Sequence, residues 1–220
     1  MRNSRLPGRL LKRSFFEAPP ERVAPRLLGK VFAHRTRFGW LTGRIVEVEA
    51  YLGPHDPRAD AASHSHRGPT RRNSVLFGPP GHAYLYFIYG RYYCMNFSCE
   101  IEGRGGGILL RALEPLTGLD RMAHNRGLEP NAAPRLLTSG PGRLCQALAL
   151  TRPAHNGLDL LDPASPLQVL DDGFRVRHVF ATARIGIRHS ADLPLRFTLH
   201  AHPCASGPRT LPGKRIFLRA

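Results

Sequence analysis

Acidic residues are scarce in this chain of 220 residues. It has 16 aspartates and glutamates against 32 lysines and arginines, a formal net charge of +16. Lysine is scarcer still, present only at Lys12, Lys30 and Lys214, so 29 of the basic residues are arginines. Genomic base composition can explain a preference for arginine over lysine, but it does not explain the missing acids. Such an imbalance suits a polyanionic partner, held less tightly as salt rises. Attachment to a membrane through basic residues would need an amphipathic helix or a lipidation site, and neither is legible. No apolar run approaches the roughly 18 residues that cross a bilayer. Met1–Arg13 is basic, but Pro7 and the charges interrupt it before a signal-peptide core can form. Cysteine is sparse too. Cys94, Cys99, Cys145 and Cys204 make no C-x-x-C pair, so a zinc framework has weak support and no metal site is expected. Cys94 and Cys99 sit in or beside an apolar strand and read as core thiols in a reducing compartment.

What the chain does have is tyrosine in one place. Five of its six tyrosines fall within residues 84–93. Tyr84–Ile88 and Tyr92–Phe97 are β-prone runs punctuated by Gly90, which predicts a hairpin with Tyr89 at its tip. An aromatic ring at a turn adds nothing to a core. On a basic chain it can insert between bases or stack on them, and the alternative is an edge hairpin packed on a core.

The length suits one domain with a sizeable core. Residues 1–20 form a Pro/Arg-rich basic lead-in to a domain over 21–220. A short helix is expected over Ala24–Gly29, and strands over Val31–His34 and Leu41–Tyr51. A polar loop holding His55, His64 and His66 follows over Gly53–Gly68. Phe77–Gly81 turns into the tyrosine strand, and Ile108–Leu113 is a further strand. Gly118–Asn125 and Gly142–Leu150 are helix candidates. Thr151–Gly173 reads as loop. Val179–Ile187 reads as a loop and a strand, Leu195–His200 as a strand, and a Pro/Gly tail closes the chain. Without a repeated strand-helix-strand pattern, the class is mixed α/β or α+β with mostly antiparallel strands.

In Arg44–Tyr51 the residues alternate. Val46, Val48 and Ala50 share one face, and Ile45, Glu47, Glu49 and Tyr51 the other. A face with two glutamates is commonly solvated. The alternative is a catalytic carboxylate beside a ring, poised as a general base by burial.

Gly43–Pro54 (Gly-Arg-Ile-Val-Glu-Val-Glu-Ala-Tyr-Leu-Gly-Pro) resembles the signature of the alkyladenine (3-methyladenine) DNA glycosylase family. Further blocks follow in order: Ala62–Ser65 with Thr70–Asn73, Tyr84–Asn96, Leu109–Pro115, Ser139–Leu148, and finally Arg184–Gly186 with Pro194–Phe197. Together they span residues 24–200, nearly the whole chain. The resemblance implies an α+β fold: a single compact domain, mostly antiparallel sheet wrapped by helices, with a projecting hairpin that inserts into DNA. It implies a monofunctional enzyme that flips alkylated or deaminated purines out of duplex DNA and hydrolyses the N-glycosidic bond. It further implies no cofactor, no membrane association, a monomer, and a place in the cytoplasm near the nucleoid or in the nucleus.

By match to the family's motifs, Glu49 is the general base that activates water, and Glu47 is a structural partner. Arg111 holds that water or the carboxylate, and His64 binds the base edge or the water. Tyr51 and Tyr86 sandwich the flipped base, Asn96 crowds the amino group of a normal guanine, and Leu109 and Ile185 line the base pocket. Tyr89 is the wedge in the DNA, and Arg72, Arg91 and Arg143 lie along its backbone. The chain departs from the family pattern at Arg91, where methionine is expected, and in the length of the His64 loop, which bears on phosphate contacts by Arg67, Arg71 and Arg72. Lys30 and Lys214 fall outside the matched blocks, so no Schiff-base lyase chemistry is expected. Two rival readings stay open: a non-enzymatic module that recognises damaged DNA, and a metal-dependent nuclease built on Glu49, His64 and His66. His64-x-His66 and His200-x-His202-x-Cys204 are weak metal patterns.

Overall fold

The structure, a computed structural model, describes residues 6–207 and 212–218. Its strands are β1 (Arg9–Leu10), β2 (Val31–Thr36), β3 (Gly39–Tyr51), β4 (Ala83–Ile88), β5 (Tyr92–Cys99), β6 (Gly106–Thr117), β7 (Leu167–Asp171), β8 (His178–Thr182), β9 (Arg196–Thr198) and β10 (Gly213–Phe217). The helices are α1 (Pro20–Leu27), α2 (Ser74–Phe77), α3 (Leu119–Arg126), α4 (Pro134–Thr138), α5 (Pro141–Ala147) and α6 (Arg152–His155). The strands form one antiparallel sheet in the order β1-β7-β2-β3-β6-β5-β4, with β9, β8 and β10 branching from β3. This is the expected α+β class.

β3 organises the sheet. Its first half pairs with β2 and its second half with β9, while β6 follows it along the other edge. The register against β6 slips between Ile45 and Glu47 and again between Glu47 and Val48. An inserted residue flips the side-chain phase of a strand. Hence Leu41 and Ile45 before the slip, and Val48 and Ala50 after it, all enter the main core, whereas Val46 packs with Ala112 and Cys204. The simple alternation expected for Arg44–Tyr51 is corrected at that point. The solvated reading of the glutamate face is also overturned: Glu47 and Glu49 are both 0% exposed. Helices α1, α4 and α5 pack on the core face with Val48 and Ala50, and the glutamate face is kept dry by Arg196 of β9 and Ser206 over Glu47 and by Tyr51 and Ile185 over Glu49.

Other differences have local causes. The stretch expected to be loop over 151–173 contains α6 and β7, and β7 joins β1 to β2 in the sheet. Only five residues long, β7 offers too little periodicity to stand out. Within 179–187 the strand comes first, as β8, and Arg184–Ile187 is loop. The Ile185 amide is bonded to a side chain instead of a ladder, and Gly186 follows at φ +77°. Part of the supposed tail is β10, paired with β8. Within the basic lead-in, Arg9–Leu10 pair with β7 and Phe16 is fully buried.

The tyrosine segment is a hairpin with β4 and β5 in register from Ala83↔Phe97 to Ile88↔Tyr92. Its turn is Tyr89-Gly90-Arg91, with Tyr89 at φ +54° and Gly90 at φ +60°. A left-handed turn matches strand twist but is unusual for a tyrosine. The Tyr89 ring is 82% exposed, and no core contact accounts for its presence there.

Behind the sheet, His34 on β2 and His155 on α6 meet through their Nε2 atoms at 3.2 Å, and His34 Nδ1 lies 2.7 Å from the Leu148 carbonyl. Burial is the main cause lowering both pKa values; the carbonyl contact partly opposes it for His34, which falls to about 4. A histidine neutral in the fold and free to charge when unfolded weakens the fold as pH falls below about 6.5. Between pH 7 and pH 5 the His34 contribution corresponds to a loss of about 2 kcal/mol. Urea unfolding at a series of pH values should show this acid-side decline, and His34→Gln should flatten most of it.

Candidate active site

The two glutamates that β3 carries differ in their partners. Glu47 Oε1 accepts from Arg111 Nε at 2.8 Å, Arg196 Nε at 2.7 Å and Ser206 Oγ at 2.9 Å, and its Oε2 accepts from the Ser206 amide. Two cations and two further donors leave it without spare capacity. Glu49 Oε1 accepts the Ile185 amide at 2.8 Å, and Oε2 accepts the Tyr51 hydroxyl at 2.9 Å. Arg111 Nη1 lies 3.3 Å from Glu49 Oε2, so the one guanidinium bridges both carboxylates. Burial alone would lower the Arg111 pKa, but the charges of Glu49 and Glu47 outweigh it and hold the group cationic. Burial, and then the Glu49 charge, push the Tyr51 phenol upward, so it stays a donor.

Above this cluster opens a pocket of about 540 Å³. Tyr51, His64, Tyr86, Asn96, Leu109, Arg111, Ile185, Tyr89 and Arg143, all singled out from the sequence, line it together with Tyr84, Ile88, Tyr92 and Cys94. Glu49 itself does not. It lies directly beneath Arg111, Tyr51 and Ile185, each of which both touches it and faces the cavity. Pairing explains the convergence: Asn96 stands opposite Leu109 on β6, and Leu109 opposite Glu49 on β3.

His64 reaches the wall from its loop. Its Nδ1 shares a 2.9 Å hydrogen bond with the Tyr84 hydroxyl, and its ring lies 4.3 Å from that of Tyr86. Burial, then the Arg72 charge, lower its pKa, which favours neutral imidazole. The loop is held by Asn73, whose Nδ2 donates to the His64 and Gly68 carbonyls and whose Oδ1 accepts from Thr70. Burial raises the Tyr86 phenol and takes the Cys94 thiol to about 11, so neither ionises at neutral pH. Arg72 stands over the Tyr86 ring at 6.0 Å and Arg91 over Tyr92 at 5.6 Å, both outside the cavity lining. Among the described residues no group of three or more His, Cys, Asp or Glu is placed to hold a metal.

Sequence reasoning missed several contributors. Arg196 and Ser206 hold Glu47, Asp60 pairs with Arg184, and the Ile185 amide holds Glu49. No residue-type signal marks a backbone donor, and a buried ion pair is spelled with the same letters as a surface one.

The family described as methylpurine-DNA glycosylase matches residues 14–203. The chain belongs to the methylpurine-DNA glycosylase family. A relative from Koribacter versatilis is 55% identical over 91% of this chain and 95% of its own length. One from Burkholderia lata is 44% identical over 94% and 95%, and one from Methanoculleus marisnigri 47% identical over 86% and 94%. All three are named 3-methyladenine DNA glycosylases. Membership in this glycosylase family agrees with the blocks that pointed to it, and the matched span includes every pocket residue named above. No helix of the described residues is long and apolar enough to cross a membrane.

The geometry separates the glutamates by their partners. Glu47→Gln removes the countercharge of two buried arginines, which should cost about 3 kcal/mol of stability. A drop in the urea midpoint is the expected signature.

Proposed function

We propose that this methylpurine-DNA glycosylase flips alkylated or deaminated purines out of duplex DNA and hydrolyses their N-glycosidic bond with a water activated by Glu49. The substrates in view are 3-methyladenine, 7-methylguanine and hypoxanthine. The observation that carries the reading is Glu49 itself: a fully buried carboxylate, fixed through both oxygens, under a cavity walled by Tyr51 and Tyr86. Its place beneath the wall suits a water-mediated attack at C1′ better than direct contact with the sugar. One carboxylate can deprotonate that water and oppose the positive charge of an oxocarbenium-like transition state. Arg111, bridging Glu47 and Glu49, orients carboxylate and water.

Tyr51 and Tyr86 stack the flipped base. Stacking tolerates base identity, and a cationic alkylpurine gains a further cation–π term of roughly 0.5–2 kcal/mol. Such a base leaves neutral, so no acid catalyst is required; hypoxanthine needs protonation. Neutral His64 bonds the base edge or the water. Asn96, whose Nδ2 is engaged by the Tyr84 carbonyl at 3.3 Å, crowds the exocyclic amine of an undamaged guanine, so selection works by exclusion as well as attraction. Leu109 and Ile185 complete the apolar lining. Tyr89 fills the gap left by the extruded nucleotide, and Arg72, Arg91 and Arg143 contact phosphates around it. The protein acts as a monomer and leaves an abasic site without cutting the strand.

The test is release of free base from duplexes carrying each lesion, in EDTA. Release under those conditions supports the glycosylase, activity that returns only with added metal supports a nuclease, and binding without release supports a recognition module. Glu49→Gln should slow single-turnover release by at least about 100-fold with lesion affinity retained; turnover near wild type refutes the mechanism. Tyr89→Ser should slow release most from a stable base pair and least from a mismatched one, and identical single-turnover rates on both would remove the wedge role.

A further inference from the structure

One buried ion pair beside the site takes no part in the chemistry above. Asp60 and Arg184 have no exposed side-chain surface, and they pair through both arms: Nη1 to Oδ2 and Nη2 to Oδ1, each at 2.7 Å. Asp60 also accepts the Leu52 amide at 3.0 Å and the Ala62 amide at 3.2 Å. Arg184 donates from Nη1 to the Ala50 carbonyl at 3.0 Å and from Nη2 to the Ser190 carbonyl at 3.1 Å. Its guanidinium carbon stands 4.6 Å from the centre of the Tyr51 ring.

Three chain segments are tied together by this pair, and each supplies one part of the pocket. The end of β3 carries Tyr51 between the two residues that bond the pair. The loop after Asp60 carries His64. The residue after Arg184 is Ile185, whose amide holds Glu49 at 2.8 Å. Residues 52–73 and 183–195 contain no strand, so no sheet ladder sets their positions.

We propose that Arg184 and Asp60 are positioning residues for the glycosidic step: they set the Ile185 amide on Glu49 and hold the plane of the Tyr51 ring. The proposal rests on the function argued above. A buried ion pair is a poor source of net stability, since desolvation offsets its attraction, but a two-armed guanidinium–carboxylate contact fixes distance and plane together. A cation packed on one ring face also fixes the ring, leaving the other face for a ligand. Displacement of a catalytic group by about 1 Å can cost on the order of 100-fold in rate, so a clamp on Glu49 and Tyr51 acts on the rate.

The experiment uses the full chain with two variants. Arg184→Lys keeps the charge and loses the fork. Arg184→Met combined with Asp60→Asn removes both charges at similar volume, a change that folded proteins commonly tolerate. Three quantities are read for each: the melting temperature, the affinity for a duplex holding a tetrahydrofuran abasic site, and the single-turnover release of base at saturating enzyme, on the lesion the wild type releases fastest and at a temperature well below every melting transition. The expected result is a rate at least about 10-fold lower in both variants, with affinity within about threefold of wild type and Arg184→Lys no faster than the double variant by more than about threefold. A folded variant with the wild-type rate overturns the proposal, as does a rate loss that disappears once the temperature is low enough to fold the variant fully. A wild type that releases no purine from any duplex overturns the glycosylase function and this proposal with it. Normal wild-type release beside an unimpaired folded variant overturns this proposal alone.

Discussion

Burying three carboxylates, two on β3 and one on the loop that follows it, is the constraint on which the rest depends. Glu47, Glu49 and Asp60 are withdrawn from water, and Arg111, Arg184 and Arg196 are withdrawn with them. A lone buried carboxylate would take up a proton sooner than stay charged. Here each has a guanidinium within 3.3 Å. The buried set is electrically balanced although the chain as a whole carries +16, and the uncompensated charge therefore lies elsewhere, where a polyanion can meet it. Acid scarcity and arginine abundance are two sides of this arrangement. The few acids include those the interior uses, and the planar, always charged guanidinium suits the buried positions better than lysine does.

The balance also separates two residues that look equivalent in the chain. Glu47 and Glu49 sit two positions apart on one strand, and both touch Arg111. Glu47 is saturated by Arg111, Arg196 and Ser206, so it serves as an anchor that orients Arg111. Among the described residues Glu49 meets one cation, together with the Tyr51 hydroxyl and the Ile185 amide, and these three groups form part of the pocket wall. The register slip at Glu47 makes this possible. It carries the strand past an inserted residue and returns Val48 and Ala50 to the core, while both glutamates stay on the far side.

Much of this was legible in the residues. The tyrosine hairpin, the carboxylate strand beside Tyr51, the helix at Gly118 and the antiparallel character follow from β-propensity, alternation and glycine placement, which are local properties. The misses share a cause. β7 and β10 are short strands that exist because neighbouring strands offer them partners, and the slip in β3 answers to pairing with β6 and β9 on its two edges. The motif blocks contain most of the residues that line the pocket, since a side-chain type is written in the sequence.

The sequence by itself determined the basic surface, the chemical types in the site and their order along the chain, because charge, aromaticity and strand periodicity are carried by single residues. Only the tertiary structure decided that the glutamate face is dry, that Glu47 is saturated while Glu49 keeps its bonds to the pocket wall, that the Ile185 amide bonds Glu49, and that Asp60 pairs with Arg184 beside them. Burial and hydrogen-bond saturation depend on which segments meet, and the contacts that settle them join residues as much as 159 positions apart.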